Sequence, residues 1–198
     1  MSFFEIFPFV SFLLFSILIF GRTILLKKRG VRVSSKSAKS RKLKFILHPV
    51  FLLIMHLWMF EISRPVIHFS LLPKVLSSPV LESIALQVIG TVLILVSLIF
   101  LIATLISFKN SLRFGMHSNN LGKLITNGIF AVSRNPFFVS VELLILGNAL
   151  FLPNPFLLGI AAATIVSIHF FILKEEVFMS ENYGEEYKNY SKKVKRYF

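Results

Sequence analysis

Five apolar stretches, each close to the roughly 20 residues that a helix needs to cross a bilayer, constrain this chain more than any other feature. They run from Phe3 to Phe20, Phe45 to Ser63, Ser83 to Phe108, Phe137 to Leu152 and Phe156 to Leu173. Hydrocarbon offers no water to backbone N–H and C=O groups, so stretches of this kind are satisfied only as helices. Composition points the same way. Of 198 residues, 55% are hydrophobic and 23 are Phe, more apolar surface than a soluble domain of this length can bury. The sequence therefore predicts an all-α integral membrane protein with about five transmembrane helices in a single domain. The fourth stretch is the shortest and carries Glu142, so a re-entrant segment is an alternative there. Pro153-Asn154-Pro155 interrupts the apolar run between the fourth and fifth stretches, and a proline-flanked break of this length predicts a helical hairpin.

The cations set the expected orientation. Ten basic residues and no acid lie between Arg22 and Lys44, and Lys109, Arg113, Lys123 and Arg134 follow the third span. Lys174, Lys188, Lys192, Lys193, Lys195 and Arg196 follow the fifth, so that only Arg64 and Lys74 remain for the opposite side. Cations are retained on the cytoplasmic side. Five spans with the N-terminus outside and a cytosolic C-terminal tail satisfy this distribution. A cleaved signal peptide is the rival for the first span, but Glu5 precedes that stretch and Arg22, Lys27, Lys28 and Arg29 follow it, the reverse of a leader's charge order. A retained anchor is expected. The net charge of +13 is then a topology signal and an attraction to membrane lipids, and no nucleic-acid partner is expected.

Candidate chemistry is confined to the second half. The chain has no Cys, which excludes disulfides, thiolate metal sites and Cys nucleophiles. His48, His56, His68, His117 and His169 are scattered, with no HExxH and no i, i+4 His pair, so no metal is expected. GxGxxG and P-loop fingerprints are missing too. The first three spans hold almost nothing reactive, which suggests an anchor half, 1–108, and a working half, 109–198. In the latter, Asn135-Pro136 reads as an N-cap and first helical residue. That helix start and Arg134 beside it can bind an anionic group. Glu142 follows Asn135 by seven residues and Phe138 by four, on one helical face. A carboxylate inside a span is costly unless it is paired, protonated or lines a wet cavity, so Glu142 is either a site residue or bonded to a neighbouring helix, with His169 or Asn148 as candidates. Glu175 and Glu176 crowd the end of the fifth span, where acids oppose the helix dipole. His169 shares the face of Glu176. Glu5, Glu61 and Glu82 have no assigned role.

Two ordered motifs extend this reading. Leu124 to Phe138, LITNGIFAVSRNPFF, and the tail KEEVFMSENYGEEYKNYSKKVKRYF resemble the signature segments of the isoprenylcysteine carboxyl methyltransferase and phospholipid methyltransferase superfamily. The likeness covers about residues 107–198 and includes SLRFGMHS at Ser111 to Ser118. The resemblance implies methyl transfer from S-adenosylmethionine to a hydrophobic or lipid-like acceptor at the cytosolic face. It also implies a cofactor site built from Leu124, Gly128, Ile129, Phe130, Arg134, Asn135, Pro136, Phe138, Glu175, Glu176 and Tyr187. Arg134 and Asn135 would hold the cofactor's polar end and the two glutamates its amine-bearing part. Tyr187 and Tyr190 would close the pocket, with Glu181, Glu185 and Glu186 in the tail folding over it. The family's common His is Asn135 here, two common Tyr positions are Phe130 and Phe138, and its Trp is Leu112.

The catalytic candidates divide by acceptor. A carboxylate acceptor needs only an orienting cation, Arg134 or Arg196, whereas an amine must lose a proton, to Glu142 or His169. Two other readings compete: a sterol-reductase-like membrane oxidoreductase, whose tail is similar, and a non-enzymatic basic membrane scaffold.

Overall fold

The computed structural model describes residues 3–28, 41–108 and 123–198, with side chains from 5 to 28, 49 to 108 and 123 to 198. The segment Ser111 to Ser118 with His117, the side chain of His48, and the stretch 29–40 lie outside what is described. Among those described, every regular element is a helix: α1 (Phe3–Lys28), α2 (Arg41–Ile62), α3 (Arg64–Ile67), α4 (Lys74–Ser77), α5 (Ile84–Phe108), α6 (Pro136–Phe151), α7 (Pro155–Tyr183) and α8 (Glu185–Lys193). Five long helices thus stand where the five apolar stretches are. Three of them, α1, α5 and α7, are long and apolar enough to cross a membrane, while 49–62 of α2 and all of α6 are shorter. The chain is an integral membrane protein. Large apolar side chains line its outer faces as a bilayer requires: Ile17 and Phe20 on α1 are each 66% exposed, and Ile99 and Ile106 on α5 are 63% and 68% exposed.

The centre of the bundle is the crossing of α5 and α6. A Cβ on Gly147 would lie 2.7 Å from Ile94 Cγ1 and 2.9 Å from the Gly90 carbonyl. A Cβ on Gly90 would meet the Gly147 carbonyl at 2.6 Å. With no hydrophobic drive between helices in lipid, small residues that let backbones approach supply the packing. Ser97 Oγ crosses the same interface and donates to the Ser140 carbonyl at 2.6 Å. Phe15, Leu26, Leu98, Leu101, Leu105 and Leu144 fill one core around it. Trp58, Ile62, Ala149, Leu157 and Ala161 form a second where α2 meets the hairpin.

The expected α6–α7 hairpin is present, and its turn is pinned by Glu61, for which no role was expected. Glu61 is buried at 1% exposure. Its Oε1 accepts from Asn154 Nδ2 at 2.8 Å and pairs with Arg64 Nε at 3.4 Å, and its Oε2 accepts from Ser70 Oγ at 2.7 Å. Asn154 Oδ1 in turn accepts from the Leu157 N–H at 2.8 Å, capping α7. Two unequal helices leave this turn. At 1.5 Å per residue, the 16 residues of α6 rise about 24 Å and the 29 of α7 about 44 Å. The start of α6 therefore faces α7 about 16 residues in, near Phe171, one turn short of Glu175 and Glu176.

Replacing Gly147 by Leu is expected to cost about 2 kcal/mol, the usual scale of overpacking. Gly159, with nothing within 4 Å of an added Cβ, is expected to accept Leu with little change. Thermal unfolding of the two variants in detergent compares them.

Candidate functional site

Four pieces of chain converge at the end of the bundle where α6 begins. The first is a 3-10 turn, Gly128–Ala131. Gly128 has φ of +63°, and a Cβ there would be 2.6 Å from Ser107 Oγ, so both conformation and space require glycine. Phe130 is buried edge-on against Phe108, with centroids 5.1 Å apart. Its carbonyl accepts a 2.6 Å bond from Tyr190 Oη on α8. Leu124 precedes this turn and Ile129 lies within it, both half-buried.

The second piece is the start of α6. Asn135 and Pro136 occupy the N-cap and first-turn positions as expected, but the Asn135 side chain does not cap the helix. Its Nδ2 donates instead to the Arg196 carbonyl at 3.2 Å, as does Ser133 Oγ at 3.3 Å, and the Arg134 N–H donates to the Lys195 carbonyl at 3.1 Å. The tail's backbone competes for the amide and wins it, which strips Asn135 of its expected capping role. Phe138, one turn on, packs against Phe171 at 5.3 Å.

Charge closes the arrangement. Glu176 Oε1 is 3.0 Å from Arg134 Nη2 and its Oε2 is 2.8 Å from Arg196 Nη2, with Arg196 Nε at 3.1 and 3.2 Å from the two oxygens. Residues 134, 176 and 196 are thus held by one carboxylate, which explains how acids persist at the unfavourable end of α7. Glu176's hydrogen bond raises Arg196's affinity for its proton. The Arg134 guanidinium lies 6.0 Å over the Tyr187 ring, and its Nε is buried with no hydrogen-bond partner among the described residues. The Tyr187 phenol is pushed up to about 12, by burial first and then by Glu176, against an opposing pull from Arg134. The Tyr190 phenol also rises to about 12, chiefly by burial and then by Tyr187.

Glu142 and His169 lie deeper. Glu142 bonds to neither of the partners expected for it: one of its oxygens is buried without a hydrogen-bond partner, and Asn148 Nδ2 donates to the Leu144 carbonyl of its own helix at 2.8 Å. His169 Nδ1 lies 2.9 Å from Tyr197 Oη, with the two rings stacked 14° from parallel. Ser133 and Tyr197 were missed by sequence reasoning. Tyr197 has no spacing relation to His169, 28 residues away, and only the tail's return brings them together.

The structure thus gathers Gly128, Phe130, Arg134, Asn135, Glu176, Tyr187 and Arg196 at one end, with Glu175 beside Glu176 and His169 seven residues deeper along α7. Two outcomes are expected here. Tyr190→Phe orphans the buried Phe130 carbonyl and costs about 1–3 kcal/mol, measured by thermal unfolding. Tyr187 and Tyr190 keep their protons in the fold to about pH 12, while an unfolded chain releases them near pH 10. Stability is therefore full below pH 10 and falls as pH rises from there through 12. Phenolate absorbance followed with unfolding over that range is the check.

The phospholipid methyltransferase family matches residues 85–186, from the first turn of α5 into α8. Two relatives described as probable protein-S-isoprenylcysteine O-methyltransferase, from Oryza sativa subsp. indica and subsp. japonica, are each 34% identical over 91 residues. That segment is 44% of this chain and 46% of each relative, so the likeness spans less than half the length of the curated relatives. No solved structure matches the chain. Because the family match takes in more than half of the chain and every one of the converging pieces except the tail beyond residue 186, the chain belongs to the phospholipid methyltransferase family.

Proposed function

We propose that the protein transfers a methyl group from S-adenosylmethionine to a hydrophobic acceptor, lipid-like or isoprenoid, at the cytosolic face of the membrane. The observation that carries this reading is the Arg134–Glu176–Arg196 cluster, whose first two members lie in the family-matched segment and whose third comes from the tail beyond it. The donor set fits the cofactor. Two guanidiniums and two glutamates stand together at one helix end, able to receive a group that carries a carboxylate, an amine and a sulfonium. Arg134 still has a buried Nε without a partner with which to hold a carboxylate, and Glu175 and Glu176 suit the cationic part. S-adenosylmethionine, when bound, supplies the methyl group on a sulfonium, open to in-line attack.

The chain's own contribution is to bind, orient and exclude water. Gly128 lets the 3-10 turn approach closely, and Phe130 presents an apolar wall. Tyr187 and Tyr190, carried on α8, lie over Arg134 and the turn, so α8 covers the site. The basic end is placed in the cytosol by its cations. The first two helices serve as anchor, and α5, joined to α6 by the glycine crossing, works with the catalytic half.

Purified protein incubated with radiolabelled S-adenosylmethionine and a mixture of total lipid extract and prenylated cysteine is expected to carry label into the organic phase. Arg134→Ala is expected to weaken S-adenosylmethionine binding roughly 10- to 100-fold, the value of a lost hydrogen bond to a charged group. Tight binding of a nicotinamide nucleotide, with none of S-adenosylmethionine, would overturn the reading in favour of the oxidoreductase.

A further inference from the structure

Tyr197 follows Arg196 of the proposed transfer site and reaches two half-buried titratable groups that the Arg134 cluster does not use, His169 and Glu142. Its hydroxyl meets His169 Nδ1 of α7 at 2.9 Å, and its ring stacks on the imidazole. The neighbouring residues fix that position from both sides. Arg196 is held by Glu176, its carbonyl by Asn135 and Ser133, and Phe198 packs edge-on against Phe100 of α5 at 5.6 Å. The charged groups that the hydroxyl feels are Glu142 of α6, Glu176 of α7 and Arg196 of its own segment. On α5, the nearest contact of the segment is the apolar Phe100. Glu142 presents a buried oxygen with no hydrogen-bond partner. A hydroxyl donates one proton and accepts another, so Tyr197 can pass a proton to an imidazole that it already touches.

We infer that Tyr197, bonded to and stacked on His169, is the proton-accepting relay of the transfer reaction, and that the acceptor is therefore a nucleophile that carries a proton, an amine or hydroxyl, and not a carboxylate. The inference rests on the transferase reading above. In the balanced step the acceptor's lone pair forms the new bond to the methyl carbon and the carbon–sulfur bond breaks, its electron pair staying on the neutral thioether. The acceptor's proton leaves to the Tyr197–His169 pair or to Glu142. A carboxylate acceptor releases no proton and would leave all three groups without work. This also explains why a histidine paired with the tail's Tyr197 stands in α7 between Val166 and Phe170, both exposed.

The test compares wild type with Tyr197→Phe, which keeps the ring and removes the hydroxyl. Both are supplied with radiolabelled S-adenosylmethionine, an amine-bearing phospholipid and, separately, a prenylated cysteine carboxylate, across neutral to alkaline pH. Wild type is expected to label the amine and not the carboxylate. The variant is expected to bind S-adenosylmethionine as wild type does, to lose roughly 100-fold in kcat on the amine at neutral pH, the scale of general-base catalysis, and to recover as alkaline buffer deprotonates the acceptor. His169→Asn keeps a hydrogen-bonding group near the Nδ1 position but cannot take the proton, and is expected to show the same profile. Equal kcat in wild type and Tyr197→Phe, a loss that pH does not relieve, or labelling of the carboxylate alone would overturn the relay and leave the transferase standing. Failure of wild type to bind S-adenosylmethionine would overturn the transferase and the relay together.

Discussion

One carboxylate holds the working end of this protein together. Glu176 is shared by Arg134 and Arg196, and the three residues come from the start of α6, the last third of α7 and the tail. A half-buried acid between two guanidiniums is favourable only while both remain. Removing it would leave two cations facing each other at a membrane edge. The bonds from the Arg134 N–H and the Asn135 side-chain amide to the tail's carbonyls belong to the same arrangement, because they form only where Arg196 is drawn in. Tyr197 and Phe198 reach α7 and α5 by continuing that path.

The opposite end is fixed by different means. Glu61 ties the end of α2 to the hairpin turn through Asn154, and Asn154 caps α7. Between the two polar ends lie apolar cores and the glycine crossing of α5 and α6. Polar bonding is therefore concentrated at the ends, with close backbone packing between them, as expected where lipid supplies no hydrophobic drive between helices. The unequal rise of α6 and α7 from a pinned turn converts this frame into function, since it sets which residue of α7 meets Arg134.

Much of this was legible in the sequence, for definite reasons. The apolar stretches and the Pro-Asn-Pro break have lengths that physics fixes, so the helices and the hairpin follow. Arg134, Glu142, Glu175, Glu176 and His169 stand out because charge inside or beside a span is expensive. Partners are another matter. Glu61 looked unremarkable because its worth comes from Asn154, 93 residues away. Asn135 has every mark of a capping residue, yet its amide goes to the tail, and no local rule anticipates a competitor 61 residues downstream. Tyr197 was invisible for the same reason. The Gly90–Gly147 crossing has no spacing signature either, because it joins two different helices.

The tail is what completes the polar end of this fold. Without the tail, Glu176 would lose Arg196 and His169 would lose the Tyr197 hydroxyl. Such groups would snorkel or neutralise. The return of residues 194–198 covers the pair at the rim and supplies a hydroxyl to the histidine below it. Exposed Val166 and Phe170 still border that histidine on the outer face. The same short segment thus builds a polar, water-poor interior and leaves an apolar flank beside it. Under the transferase reading those two surfaces have separate tasks: the interior binds a charged soluble cofactor, and the flank admits a hydrophobic acceptor from the bilayer. A hydrophobic molecule and a zwitterionic one can then meet at a single carbon without either crossing the other's solvent.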